Sequence, residues 1–189
     1  MKMNPPNLLT ISRFVLAGVF MLCLSISFPG APLAAVLVFG IAALTDALDG
    51  HLARTVYGCS DFGKLMDPLA DKVLTAAAFI GFVELRIMPA WMVTLILSRE
   101  MMVTGLRLLA IDKGVVLSAG SWGKHKTVWQ MIFISAILLL RTVYWIFPWS
   151  FLDSELYRTL VLWAGCIVTV LTVWSGLVYF RQNLSLLRN

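Results

Sequence analysis

Four aspartates, Asp46, Asp49, Asp67 and Asp71, stand in the stretch DALDGHLARTVYGCSDFGKLMDPLADK. Asp46 and Asp49 are three residues apart and Asp67 and Asp71 four, so each pair falls on one face of a helix. A short hairpin through Val56–Asp61 would bring the two faces together. Like charges in an apolar setting repel, so the cluster calls for a compensating cation. Oxygen ligands without His or Cys suit hard cations, Mg2+ or Mn2+, which often bind together with substrate phosphates. Two such ions sharing the four carboxylates would clamp a pyrophosphate for in-line displacement.

The residues between the acids extend this chemistry. Gly50 follows Asp49 without a side chain, and Ala53 lies about a turn later, so a phosphate or a flat base could approach the backbone. Arg54 offers a planar fork for phosphate or a base edge. Gly63 and Pro68 shape the start of the next helix, and Asp61 caps it. The competing structural reading is a buried ion-pair network with Arg54, Lys64 and Lys72. It does not explain two glycines and an alanine among the acids.

The elements that must position these groups are apolar. Hydrophobic residues make up 60% of the 189-residue chain and charged residues 13%. Mean hydropathy is +0.88, well above that of soluble domains. Apolar runs recur, including Phe14–Ile26, Pro32–Leu44, Val128–Leu140 and Leu160–Phe180. Several are short of the roughly 20 residues needed to cross a bilayer. With flanking polar positions drawn in, the pattern predicts an all-α integral membrane protein of one domain, residues 1–189. Six transmembrane helices are expected near 10–28, 32–55, 63–85, 89–111, 125–147 and 156–181, after a short N-terminal interfacial segment holding Pro5 and Pro6. The N-terminal apolar stretch is read as a retained helix rather than a cleaved signal peptide.

Net charge is +5. The basic residues form no arm or stripe, which argues against nucleic acid and for anionic lipid or phosphate-bearing substrates. Lys and Arg concentrate at one set of helix ends, among them Lys2, Arg13, Arg54, Lys64, Lys72, Lys113, Lys124, Lys126 and Arg181. The other ends hold Arg86, Arg141 and Arg158. The positive-inside rule then places the aspartates at the cytoplasmic face and the aromatic segment Tyr144–Trp149 on the outer side. Cys23, Cys59 and Cys166 are scattered and read as buried small hydrophobes, without a disulfide or metal role.

Beyond the acids, Arg99, Glu100 and Arg107 occur on the fourth predicted helix. Arg99 and Glu100 sit about 11 residues, roughly 16 Å, from its cytoplasmic end. An Arg this deep needs an anion, supplied by a substrate or by a structural Arg–Glu pair. Lys124 and Lys126 flank His125 at the start of the fifth helix, where a phosphate is favoured; an ordinary positive-inside flank is the alternative.

The pattern D-x2-D-G-x2-A-R-x8-G-x3-D-x3-D, complete from Asp46 to Asp71, resembles the signature of the CDP-alcohol phosphatidyltransferases. The resemblance implies a six-helix, usually dimeric membrane enzyme that uses divalent metal. Such enzymes transfer a phosphatidyl group from CDP-diacylglycerol to an alcohol and release CMP. It also implies metal ligation by Asp46, Asp49 and Asp67. Asp71 would be general base and further metal contact, and Asp46, Gly50, Ala53, Arg54 and Gly63 nucleotide contacts. His51 and His125 fall at positions the patterns leave free. The segments PNLLTISR, SREMMVTGLR and GKHKT are similar to the bacterial members that act on sn-glycerol 3-phosphate. That similarity adds Asn7 and Thr10 to the CDP-diacylglycerol contacts. It assigns Arg99, Arg107, Lys124 and Lys126 to the acceptor phosphate. It places the chain in a bacterial inner membrane with the site facing the cytoplasm. The last third of the chain carries no motif. Rival readings are a cardiolipin synthase of the same family, taking phosphatidylglycerol as acceptor, a divalent-cation transporter and a catalytically silent lipid-binding or scaffold protein.

Overall fold

The computed structural model describes the backbone of residues 5–56, 61–112, 121–148, 150 and 154–183. It describes the side chains of residues 11–45, 70, 72–111, 123, 125–148, 150 and 154–183. The described residues form six helices and no strand: α1 Pro5–Ser25, α2 Ala31–Val56, α3 Asp61–Glu84, α4 Ala90–Asp112, α5 Ser121–Ile146 and α6 Glu155–Gln182. These correspond one to one with the apolar segments of the sequence. The main difference is at the start, where the chain is already helical from Pro5. Proline is tolerated in a first helical turn, whose N–H groups have no intrahelical partner.

The breaks between helices have local causes. Gly30, at φ 87°, turns the chain from α1 into α2. At the end of α3, Ile87 N–H donates to Phe82 O at 2.8 Å and Arg86 N–H to Val83 O at 2.9 Å. This is a Schellman closure with Arg86 at φ 57° in the position usually given to glycine. Ser154 caps α6 by accepting from Tyr157 N–H, with Glu155 in the first turn and Arg181 in the last, matching the helix dipole.

Helix α1 packs against both α2 and α3, the two aspartate-bearing helices. Helix α4 packs on α3 and α6, and α5 on α2 and α6. The core is aromatic in the middle, where the rings of Phe79, Phe82 and Phe133 stand 6.1–6.4 Å apart and Phe20 meets Phe39 at 5.6 Å. Around it, buried Ala17, Ala35, Ala42, Ala70, Ala77 and Ala78 let helices approach closely. Outward positions of α6 are large and apolar: Trp163, Val170 and Leu177 are each more than 60% exposed. Soluble surfaces rarely present such a face. By length and composition, His125–Ile146 and Glu155–Gln182 are sufficient to cross a membrane, and among the residues with described side chains Ile11–Ser25 and Ala31–Thr45 are the apolar portions of α1 and α2.

Candidate functional site

Asp46 and Asp49 lie in the second half of α2, and Asp67 and Asp71 in the first half of α3. Their side chains lie outside the described residues. So do those of Asn7, Thr10, Ala53, Arg54 and Lys124, while the backbones of all these positions and of Gly50 and Gly63 are helical. Among the described side chains no three His, Cys, Asp or Glu converge as a metal group.

A cavity of about 270 Å³ lies between α1, α2, α3, α4 and α5. Ala42 and Ala43 line it from α2, and Ala70, Leu74 and Thr75 from α3. Asp46 follows Ala42 by four residues, and Asp71 precedes Leu74 by three and Thr75 by four. On a helix those spacings mark one face, so the aspartate positions continue the cavity walls by one turn.

Among the described residues, Arg13, Lys72 and Lys126 line it together with the carboxylate of Glu100, with Gln130 and Thr127 beside them. Glu100 is the hub. Its Oε2 accepts from Lys72 Nζ at 3.0 Å, and its Oε1 accepts from Arg99 Nη1 at 3.3 Å and from Lys126 Nζ. Glu100 and Lys126 are 4% and 7% exposed, so their pairing is weakly screened by water. Thr104, a turn later on α4, turns its hydroxyl back to the Glu100 carbonyl at 2.8 Å.

Arg99 and Glu100 are consecutive, and a helix turns about 100° per residue, so they leave α4 in different directions. Arg99 reaches α6, where its Nη2 donates to Ser175 Oγ at 3.0 Å. Ser175 Oγ in turn donates to Thr172 O at 2.8 Å, and Gln130 Nε2 donates to Thr172 Oγ1 at 3.0 Å. Gly176 makes room for this crossing: a Cβ there would stand 2.6 Å from Arg99 Cγ. Arg99 Nε is buried without a partner among the described residues. Arg107 lies two turns further along α4. Its Nε donates to Tyr179 Oη at 3.3 Å, and its guanidinium carbon stands 5.4 Å from the Tyr179 ring centroid.

Of the cations predicted to hold an acceptor phosphate, the structure therefore sets Lys126 on the cavity and Arg99 behind it. Arg107 stands apart, on α4 against Tyr179 of α6. Lys72 and Arg13 line the cavity although the sequence reading assigned them no acceptor role. The signal for Lys72 was its place directly after Asp71, and for Arg13 its place at the end of PNLLTISR. The α6 groups, Thr172, Ser175, Gly176 and Tyr179, were missed altogether. Their spacing of i, i+3, i+4 and i+7 was the available signal.

The model of the family described as CDP-alcohol phosphatidyltransferase matches residues 3–171. The chain belongs to the CDP-alcohol phosphatidyltransferase family. It is 39% identical to the CDP-diacylglycerol–glycerol-3-phosphate 3-phosphatidyltransferase of Bacillus subtilis (strain 168), over 95% of each chain. It is 37% identical to the protein of that name from Salmonella typhimurium, over 95% of this chain and 94% of the relative. The same name attaches to a Haemophilus influenzae relative 31% identical over 96% of this chain. The family model takes in all four aspartates and ends at residue 171, just short of the Thr172, Ser175 and Gly176 face that meets Arg99.

Proposed function

We infer that this CDP-alcohol phosphatidyltransferase moves the phosphatidyl group of CDP-diacylglycerol to sn-glycerol 3-phosphate, giving phosphatidylglycerophosphate and CMP. The observation that carries the acceptor is the cavity whose walls the Asp46 and Asp71 positions continue. Among the described residues Arg13, Lys72 and Lys126 line it together with Glu100, cationic groups of the kind that bind a phosphate. The curated relatives named for the same acceptor support this reading.

Asp46, Asp49, Asp67 and Asp71 would hold Mg2+ or Mn2+, two ions in this reading. An all-carboxylate donor set on two helices fits such ions and fits zinc or copper poorly. When bound, the metal neutralises charge on the pyrophosphate of the donor substrate. Gly50, Ala53, Arg54 and Gly63, with Asn7 and Thr10, would receive the CDP-diacylglycerol. Lys126 and Lys72, with Lys124, Arg99 and Arg107 behind or beside them, would orient the acceptor phosphate. Asp71 would take the proton of the attacking hydroxyl. Positioning and fixed charge supply most of the rate enhancement in phosphoryl transfers of this kind.

All six helices span the membrane in this reading, with the aspartates at the cytoplasmic face of a bacterial inner membrane and the protein a homodimer. The crowding of the acids at one end of the helices favours an enzyme over a cation transporter, whose acids are expected near the midplane of broken helices.

The test is an acceptor screen with purified protein, CDP-diacylglycerol and Mg2+ or Mn2+, following CMP release. Release with glycerol 3-phosphate is expected. Release with phosphatidylglycerol instead would make the protein a cardiolipin synthase, and no release with any alcohol would overturn the enzyme reading.

A further inference from the structure

At the end of the bundle opposite the aspartates, the α1–α2 turn and the ends of α3 and α5 enclose a cavity of about 580 Å³. Two side chains of opposite charge line it, Glu84 at the end of α3 and Arg141 on α5. They do not pair. Glu84 Oε2 accepts from Ser25 Oγ at 2.9 Å, and no carboxylate among the described residues lies within ion-pair distance of Arg141. Arg141 is half-buried between this cavity and an adjoining groove of about 500 Å³, which shares Arg141 and Pro32. The groove is apolar and aromatic, walled by Leu140, Tyr144, Trp145 and Tyr157.

A guanidinium and a carboxylate held apart in one cavity are complementary to a zwitterion. The planar fork of Arg141 suits a phosphodiester, and Glu84 accepts from an ammonium. An arginine half-buried beside hydrocarbon, with no ion-pair partner among the described residues, gains from an arriving phosphate. The groove continuing from Arg141 suits an acyl chain, and Tyr and Trp are the residues of the membrane interface. The cavity volume falls within the range of small-ligand sites. We propose that this cavity and groove bind a phospholipid whose head group carries both a phosphodiester and a primary ammonium, bridging the α1–α2 turn, α3 and α5. The membrane placement proposed above is presupposed; the transfer reaction is not.

Lipid retention measured by native mass spectrometry tests this without any turnover. Protein is exchanged into micelles containing phosphatidylethanolamine or phosphatidylglycerol, or supplemented with soluble O-phosphoethanolamine. The wild type should retain phosphatidylethanolamine over phosphatidylglycerol by on the order of tenfold, one charged hydrogen bond. Glu84→Gln should abolish that preference while phosphatidylglycerol is still retained. Arg141→Gln should lose both lipids, and Arg141→Lys should restore part of the binding, which separates a site effect from a folding defect. Equal retention of both lipids by the wild type, or unchanged retention in Arg141→Gln, overturns the proposal. So does Arg141-dependent binding of O-phosphoethanolamine as strong as that of the lipid, which would make the site one for a soluble phosphate ester.

Discussion

Replacing Lys126 by Met separates a substrate-binding cation from a structural one. Lys126 is 7% exposed, donates to Glu100 Oε1 and lines the cavity whose walls the aspartate positions continue. Methionine keeps most of the volume and removes the charge. A hydrogen bond to a charged group contributes about 1.5–3 kcal/mol. Losing one to the acceptor phosphate should therefore raise the KM for glycerol 3-phosphate about 10- to 150-fold. The KM for CDP-diacylglycerol should stay within about threefold, since the charge lost faces the acceptor and not the nucleotide.

Stability should fall as well, but less than for a lone buried charge. Glu100 keeps Lys72 at 3.0 Å and Arg99 at 3.3 Å after the change, so the carboxylate is not orphaned. The loss should be about 1–3 kcal/mol rather than the about 3–5 kcal/mol of a fully broken buried pair. The assay is CMP release with each substrate varied in turn, alongside thermal unfolding in detergent. A variant with lowered stability and unchanged acceptor KM would refute the reasoning, because Lys126 would then serve Glu100 alone.

Other perturbations probe the remaining parts. Asp71→Asn should abolish turnover while leaving nucleotide binding largely intact, measured by CMP release and by titration with a CDP nucleotide; robust turnover would remove Asp71 as base. Lys124→Ala should raise the acceptor KM with little effect on kcat, and an unchanged KM would return Lys124 to a membrane-flank role. Gly176→Ala should cost about 1–3 kcal/mol and reduce activity, because its Cβ meets Arg99 Cγ at 2.6 Å near the root of the side chain. Gly81→Ala, whose Cβ meets only the far end of Leu24 at 2.4 Å, should be the milder change in thermal unfolding.

The helices were legible because the long apolar runs of this chain end at turn-forming residues. Pro29, Gly30, Pro89 and Pro148 sit at breaks, and each predicted segment corresponds to one observed helix. The aspartate signature was legible because four acids in an apolar context have few physical explanations. The wall behind the acceptor site was not. Thr172, Ser175 and Gly176 carry no charge, and small or hydroxylated residues in apolar helices ordinarily signal close packing. Only the position of Arg99, reaching across from α4, gives them a role in the site. The destination of Arg107 was hidden for a similar reason: sharing a helical face with Glu100 says nothing about whether Tyr179 stands closer than a substrate would.

Glu100 looks at first like a liability in a site for an anion, since a carboxylate repels a phosphate. Its contacts explain why such a group is useful. Lys72, Arg99 and Lys126 crowd into one region, and without a carboxylate among them they would repel one another and splay apart. Glu100 cancels one charge of the three, so the cations stay close before substrate arrives. The arrangement also divides labour by direction: Glu100 draws Lys72 and Lys126 in from α3 and α5, while Arg99 ties the same turn of α4 to Ser175 on α6. Glu100→Gln should then loosen the site rather than sharpen it. Removing the negative charge raises the local positive potential, yet Lys72 and Lys126 lose the group that holds them on the cavity. If preorganisation outweighs raw charge, the acceptor KM rises and thermal stability falls together. A Glu100→Gln variant that bound glycerol 3-phosphate more tightly would show that net charge, not geometry, sets acceptor affinity here.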